Sequence, residues 1–467
     1  MTYEKMLEEI NHIPMFGANG GLKNLQAYLD LLDHPESKLR VIHVAGTNGK
    51  GSVCAYMESI LRNAGYKTAL FTSPHLMRFN ERFRINFQEC DDQLLVGAWE
   101  RVKELLDRRE EYHLLMLTYF EITFLMGMLI FSWEDPDYCI VETGLGGRLD
   151  ATVLTDPILC IITSISLDHT ALLGSTIPEI VREKAGIIKE GTPVLYLDEE
   201  NGAAQVIEEE ACKKHAQVLH VSYRDVTFLK NMRNMIDFSL ENRYYKVDCV
   251  SVHSLASYQA INASLAMVAI HHILPDLPEE SMRVGIAQMY WPGRMEEIAP
   301  GIYIDGAHNP GAIEQICQMM KTEQMSQADS EDTEMDSKSL RSDSEGTEMA
   351  SKSLQADSED SEKNRQKNRW NLLFAVCADK DYESMISMLA GLDWGSIYIT
   401  KIETTRGAAV STVAECFRKY TKAPIYIYED SKEAFEQASL QKKEDENLLC
   451  LGSLYLAGEL KKLLGNY

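Results

Sequence analysis

No two of the ten cysteines form a CxxC pair, and most of them stand singly inside apolar runs. That spacing excludes a zinc knuckle and a disulfide framework, and it is the pattern of reduced core thiols in a reducing compartment. A long apolar run is missing too. The most apolar stretch, Ile122 to Trp133, falls well short of the roughly 20 residues that cross a bilayer, so it is expected to be a buried helix. The opening MTYEKMLEEINHIP has neither the basic nor the apolar region of a secretion signal, which predicts a cytoplasmic protein. Basic charge is also scarce: Lys and Arg total 46 against 71 Asp and Glu, a net charge of −25. Neither nucleic acid nor an anionic membrane surface favours so acidic a partner. One basic pocket for a small anion remains compatible with that balance.

What is present suits a globular protein of 467 residues, long enough for two domains. Strands are predicted at Leu39–Ala45, Lys67–Thr72, Tyr138–Val141, Leu159–Thr163 and Val194–Leu197, with helices between them, including Ser52–Asn63. This alternation predicts a mostly parallel sheet with crossover helices over residues 1–297. A second domain, 298–467, is predicted from strands at Ile302–Asp305, Leu372–Val376, Ser396–Thr400, Ile425–Tyr428 and Leu448–Leu451. Helices at Ala312–Lys321, Tyr382–Leu389, Thr412–Tyr420, Lys432–Ala438 and Tyr455–Leu463 alternate with them, which predicts a smaller doubly wound α/β unit. From about 325 to 367 the chain is Ser, Asp, Glu and Lys, and SEDTEMDSKSL at Ser330–Leu340 returns as SEGTEMASKSL at Ser344–Leu354. Such a composition cannot bury enough apolar surface to offset chain entropy, so it is expected to be a disordered surface insertion.

The sharpest local signal is GTNGKGS at Gly46–Ser52, directly after a strand and opening a helix. Backbone amides at such a turn, backed by the helix dipole, cradle polyphosphate. Lys50 would offset phosphate charge and the Ser52 hydroxyl would reach a magnesium ion. Gly51 separates the lysine from the hydroxyl residue, a departure from the standard Walker spacing. A second element is Glu142, which ends the strand-forming run CIV before a Gly-Leu-Gly-Gly turn and offers a carboxylate to Mg²⁺.

In this form the loop resembles that of the folylpolyglutamate synthase/dihydrofolate synthase family of the Mur ligase superfamily. Further runs carry the same resemblance in order along the chain. They are SPHLMRFNER from Ser73, LTYFE from Leu117, ETGLGGRLDAT from Glu142 and SLDHTALLGSTIPEIVREKAGIIK from Ser166. After these come YQAINASLA from Tyr258, WPGRME from Trp291, DGAHNP from Asp305, ADKDY from Ala378 and GSLYLAG from Gly452. The resemblance implies a P-loop ATPase-type domain followed by a smaller Rossmann-like α/β domain, in a chain that works as a monomer. Gly49, Lys50, Gly51 and Ser52 would wrap the ATP phosphates, with Asn262, Arg294 and Asp305 at further nucleotide contacts. Ser73, Glu142 and His169 would ligate magnesium, as two ions, joined by Lys184 as a carbamate. His308 would stand near the reacting phosphate, and Lys50, Lys184 and His308 would form the catalytic set. Phe79, Tyr119, Phe120, Leu149, Asp150 and Ala151 resemble folate-side positions.

The implied chemistry is ligation of L-glutamate to a folate or dihydropteroate carboxylate through an acyl phosphate, with ATP as co-substrate. Where the family usually continues GLGGRLDAT with Asn, this chain has Val153, which removes a polar group on the pterin side and leaves the acceptor open. Two other readings are compatible with the loop. A cell-wall amino-acid ligase of the superfamily would carry a UDP-sugar domain ahead of the loop, where only 45 residues stand here. A non-catalytic nucleotide-binding module would lack the metal residues.

Overall fold

The computed structural model describes residues 1–15, 17, 20–232, 234–322 and 369–465. The predicted insertion at about 325–367 lies outside the described residues. Contacts divide the chain into two units, Met1–Trp291 and Pro292–Tyr467.

The first unit is built on eight strands: β1 (Val41–Ala45), β2 (Thr68–Phe71), β3 (Phe83–Ile85), β4 (Gln88–Glu89), β5 (Tyr138–Glu142), β6 (Pro157–Ile162), β7 (Val194–Asp198) and β8 (Val218–Ser222). Their order is β4-β3-β2-β5-β1-β6-β7-β8. Six of them run parallel, and only the β2–β3 and β3–β4 pairs are antiparallel. β1 and β5 are buried at every position, as their mostly apolar sequence suits when helices cover both faces, with His43 and Glu142 the polar members. β1 pairs with β5 on one side and β6 on the other, so three carboxyl ends lie side by side. In an open α/β sheet that edge is where ligands bind.

The helix Tyr119–Glu134 contains the apolar run and is buried through most of its length. Its start is fixed by a capping box: Thr118 N–H and Oγ both donate to Glu121 Oε2, at 2.7 and 2.8 Å. No helix among the described residues is long and apolar enough to cross a membrane. All ten cysteines are free and eight are buried, while Cys212 and Cys249 are exposed. An additional antiparallel sheet, β9 (Val226–Met232), β10 (Met235–Glu241) and β11 (Lys246–Val252), packs Ile236, Phe238 and Leu240 into the core shared with β1 and the loop helix. It was not anticipated from the sequence.

The second unit has six strands: β12 (Glu296–Ala299), β13 (Ile302–Ile304), β14 (Trp370–Phe374), β15 (Trp394–Ile399), β16 (Ile425–Ile427) and β17 (Asn447–Leu451). The order β12-β13-β17-β14-β15-β16 is parallel apart from the β12–β13 pair. β14 and β15 each begin two residues before their sequence-expected starts, because Trp370 and Trp394 are buried and pair with each other. Lys461, on the helix Leu454–Leu463, ties that helix to the edge strand β12, its Nζ 2.6 Å from Glu296 Oε1.

Candidate active site

The phosphate loop connects β1 to the helix Lys50–Asn63, whose N-cap, Gly49, has φ +83°. At that angle a side chain would be strained, and a Cβ there would lie 2.6 Å from Asn262 Oδ1. Gly46 is tighter still, with a Cβ position 1.8 Å from Thr163 Oγ1. The neighbouring strand end holds the turn: Thr163 Oγ1 donates to Asn48 O at 2.7 Å, and Thr47 N–H donates to Ser164 O at 2.7 Å. On the helix side Gln259 donates to Ser52 Oγ at 3.3 Å and accepts from Asn262 at 3.0 Å. Gln259 is buried and escaped the sequence reading, although its i, i+3 spacing to Asn262 puts both on one helical face.

Lys50 Nζ donates to Thr47 O at 3.2 Å and lies 3.9 Å from Glu142 Oε1. Glu142 is buried at the carboxyl end of β5, and its other oxygen accepts the Ser73 N–H at 3.2 Å. Lysine, glutamate and Ser73 thus meet beside the glycine turn. His169 takes a left-handed conformation (φ +49°), donates its backbone N–H to Asp168 Oδ1 at 2.8 Å and holds Nε2 3.9 Å from the same oxygen.

Lys184 is 4% exposed and donates Nζ to Gly46 O at 2.7 Å. Burial, reinforced by the Lys50 charge, lowers its pKa from 10.5 to about 7. The helix Ile177–Ala185 that carries it approaches the Gly-Leu-Gly-Gly turn closely. A Cβ on Gly147 would meet Lys184 O at 2.7 Å, and one on Gly186 would meet Arg148 Cα at 2.4 Å.

On the folate side suggested by sequence, Phe79 and Tyr119 are buried in contact, with ring centroids 6.3 Å apart. Arg82 stands over both rings, at 5.9 and 5.5 Å, and donates Nε to His75 Nδ1 at 2.8 Å. Phe120 leans on Phe71 and against Gly144, where a Cβ would be 2.6 Å from the ring. Asp150 is buried and accepts from Gly144 N–H, Leu145 N–H and both Thr152 donors, so its carboxylate ties the glycine turn together. Burial raises its pKa. Ala151 is buried beside it, whereas Leu149 is 67% exposed.

In the second unit Asp305 follows β13 and accepts two backbone N–H groups, from Met295 at 2.8 Å and Ala307 at 2.7 Å. Arg294 Nη1 donates to Gly293 O, and a Cβ on Gly306 would lie 2.4 Å from that same nitrogen. His308 Nδ1 is 2.8 Å from Gly306 O. A carbonyl only accepts, so Nδ1 carries hydrogen and, in the neutral ring, Nε2 is left as the acceptor. Asp305→Ala is therefore expected to lower the calorimetric melting temperature, since each buried N–H left unsatisfied costs about 1–3 kcal/mol. An unchanged melting temperature would show that this carboxylate does not hold the turn.

No family model matches the chain. It is 30% identical to the dihydrofolate synthase/folylpolyglutamate synthase of Bacillus subtilis over 461 residues, covering 96% of each chain. The chain belongs to the dihydrofolate synthase/folylpolyglutamate synthase family. It is thereby a ligase. The folylpolyglutamate synthase of Lacticaseibacillus casei is 28% identical over 99% of both chains. A solved FPGS–AMPPCP–folate complex superposes with a TM-score of 0.77 at 27% identity, over 99% of this chain and 100% of that one. This family's α/β fold, a large mostly parallel sheet followed by a second sheet unit, is the one described above.

Proposed function

We propose that this ligase joins L-glutamate to the carboxylate of a folate, using ATP. The observation that carries the reading is the glycine turn after β1 with Lys50, Glu142 and Ser73 gathered at it, in a chain of this family. Folate and an ATP analogue occupy a solved relative of the same fold. The substrate carboxylate attacks the γ-phosphorus of ATP, breaking its bond to the β-phosphate oxygen and giving an acyl phosphate and ADP. The amine of glutamate then attacks the acyl carbon, phosphate leaves, and the amine gives up a proton as the amide forms.

The chain's own share is electrostatic and positional. Backbone amides of Gly49, Gly51 and Ser52 would receive phosphate oxygens, and Lys50 would offset charge building on the transferring phosphoryl. Asn262 stands ready beside Gly49. In the second unit, Arg294, Asp305 and His308 are proposed for the nucleotide and phosphate roles that the resemblance implies.

Mg²⁺ is proposed as the cofactor, as two ions. Among the described residues no three His, Cys, Asp or Glu side chains converge on one point. Glu142 and the Ser73 hydroxyl still suit a hard cation that keeps several waters and takes phosphate oxygens, as Mg²⁺ does. His169 and a carbamylated Lys184 are proposed as the remaining ligands. The bound ion would supply charge neutralisation at the phosphates.

Val153 bears on the acceptor. It is almost fully buried, within the short 3₁₀ turn Ala151–Leu154. We propose reduced folate as acceptor, with dihydropteroate as a second one. ADP release with Mg·ATP and glutamate is expected with tetrahydrofolate. Release with dihydropteroate as well would make the enzyme bifunctional, and silence with both would overturn the proposal.

A further inference from the structure

We infer that Trp291 is a positioning residue for the phosphate loop, an inference resting on the nucleotide reading of that loop. Gly51 lies in the first turn of the helix Lys50–Asn63, between the lysine offered to phosphate and the serine whose hydroxyl is offered to magnesium. A Cβ at Gly51 would come within 2.9 Å of Cζ2 and Nε1 of Trp291. The indole therefore fills the space a side chain would take, which accounts for the glycine between Lys50 and Ser52.

The ring is itself held from the same helix. Arg84 stands over the indole at 5.4 Å from its centroid and is joined to Glu58 at 2.9 Å. Glu58 is seven residues beyond Gly51, two turns along, and so on the same helical face. Both partners of this pair are buried. Glu58 also accepts the Phe87 N–H at 2.9 Å, and the Phe87 ring packs under Arg84 at 4.3 Å. Helix, carboxylate, guanidinium, indole and glycine form a closed circuit that returns to the helix where it began.

Such a circuit fixes the first turn against displacement toward the ring. Lys50 and Ser52 ride on that turn. Without the indole, the turn gains room to shift, and misplacement by about 1 Å is enough to cost as much as 10²-fold in a positioned reaction. The pair behind the ring is not readily replaced, because breaking it leaves an uncompensated buried charge.

The test compares wild type, Trp291→Phe, Trp291→Ala, Gly51→Ala and the double variant in the full chain, by ADP titration and steady-state kinetics. Trp291→Ala is expected to raise the KM for ATP and the Kd for ADP about tenfold through this misplacement, with the KM for folate and glutamate within about twofold. Trp291→Phe, which keeps a ring against Gly51, restores most of that loss. Gly51→Ala weakens ADP binding in the wild-type background, and Trp291→Ala added to it recovers affinity, because the clash is removed. ADP binding should also change indole emission, and that change disappears in Trp291→Phe. Unchanged ADP affinity in Trp291→Ala, or losses that simply multiply in the double variant, would overturn the inference. Failure of the wild-type chain to bind ADP at all would instead remove the nucleotide reading beneath it.

Discussion

Lys50→Ala should lower kcat for ADP release by about 10²–10³-fold, the loss expected when one preorganised group is removed from a developing oxyanion. Its ammonium is held by the Thr47 carbonyl and faces Glu142 at 3.9 Å, in a setting shielded from bulk water. A charge there is worth more than the same charge in solvent. The loss should fall mainly on kcat, since backbone amides of the turn and the helix dipole still receive the ground-state phosphates. Lys50→Arg is not expected to restore activity, because a planar guanidinium cannot occupy the point position of an ammonium donated to Thr47 O. ADP titration beside the turnover assay separates binding from chemistry. A kcat within threefold of wild type would mean that the lysine is an ordinary helix-start cation.

The loop was legible because its signals are local. Glycines that tolerate φ +83°, a β-branched strand before them and a helix after them are all adjacent in sequence. The central strands were legible for a similar reason, since short, mostly apolar runs such as Val41–Ala45 have few other places to go. Ile236, Phe238 and Leu240 do alternate with half-exposed residues in the period of a half-buried strand. That signal is weak without its partners, because such a sheet is stabilised by pairs across its strands and by packing into the core shared with β1. The β3–β4 hairpin was hidden by its turn, where Asn86 and Phe87 both take positive φ with no glycine to announce it.

Within the candidate site, what sequence could not supply was burial. REKAGIIK reads as a solvated helix end, yet the fold buries Lys184 and sets its Nζ on the Gly46 carbonyl. The role of Asp150 was similarly out of reach. As a residue in a conspicuous motif it looks like a ligand contact, yet its oxygens are taken up by the turn around it. Trp291 belongs to the run WPGRME, but nothing in that run says that its indole rests on Gly51. Motifs locate chemistry; packing decides which residues hold the chemistry still.

Lys184→Ala should abolish most turnover, by about 10–100-fold or more on the scale of lost metal-shell groups, while ADP affinity changes only a few-fold. The physical case begins with the pKa of about 7, lowered from 10.5 first by burial and then by Lys50. Below about 7 the amine is an ammonium and cannot attack carbon dioxide. Above it the neutral amine can add to carbon dioxide, forming an N–C bond and releasing one proton, and the carbamate carries oxygens suited to a hard cation. Activity of enzyme pre-equilibrated with bicarbonate should therefore rise as pH passes upward through about 7. The unmodified amine makes a separate contribution to stability. Between about 7 and 10.5 the unfolded chain binds more protons at this site than the native one, so stability rises with pH across that window. Lys184→Met should flatten that rise in denaturant titrations. The alternative is that Lys184 only props the Gly46 carbonyl, to which it donates at 2.7 Å. In that case ADP affinity would fall together with turnover, and bicarbonate would change neither. A short carboxylate such as formate discriminates further: it can occupy the space left in Lys184→Ala and offer oxygens where the carbamate stood, but it cannot donate to Gly46 O. Partial recovery with formate would favour the carbamate, and recovery with methylammonium alone would favour the prop.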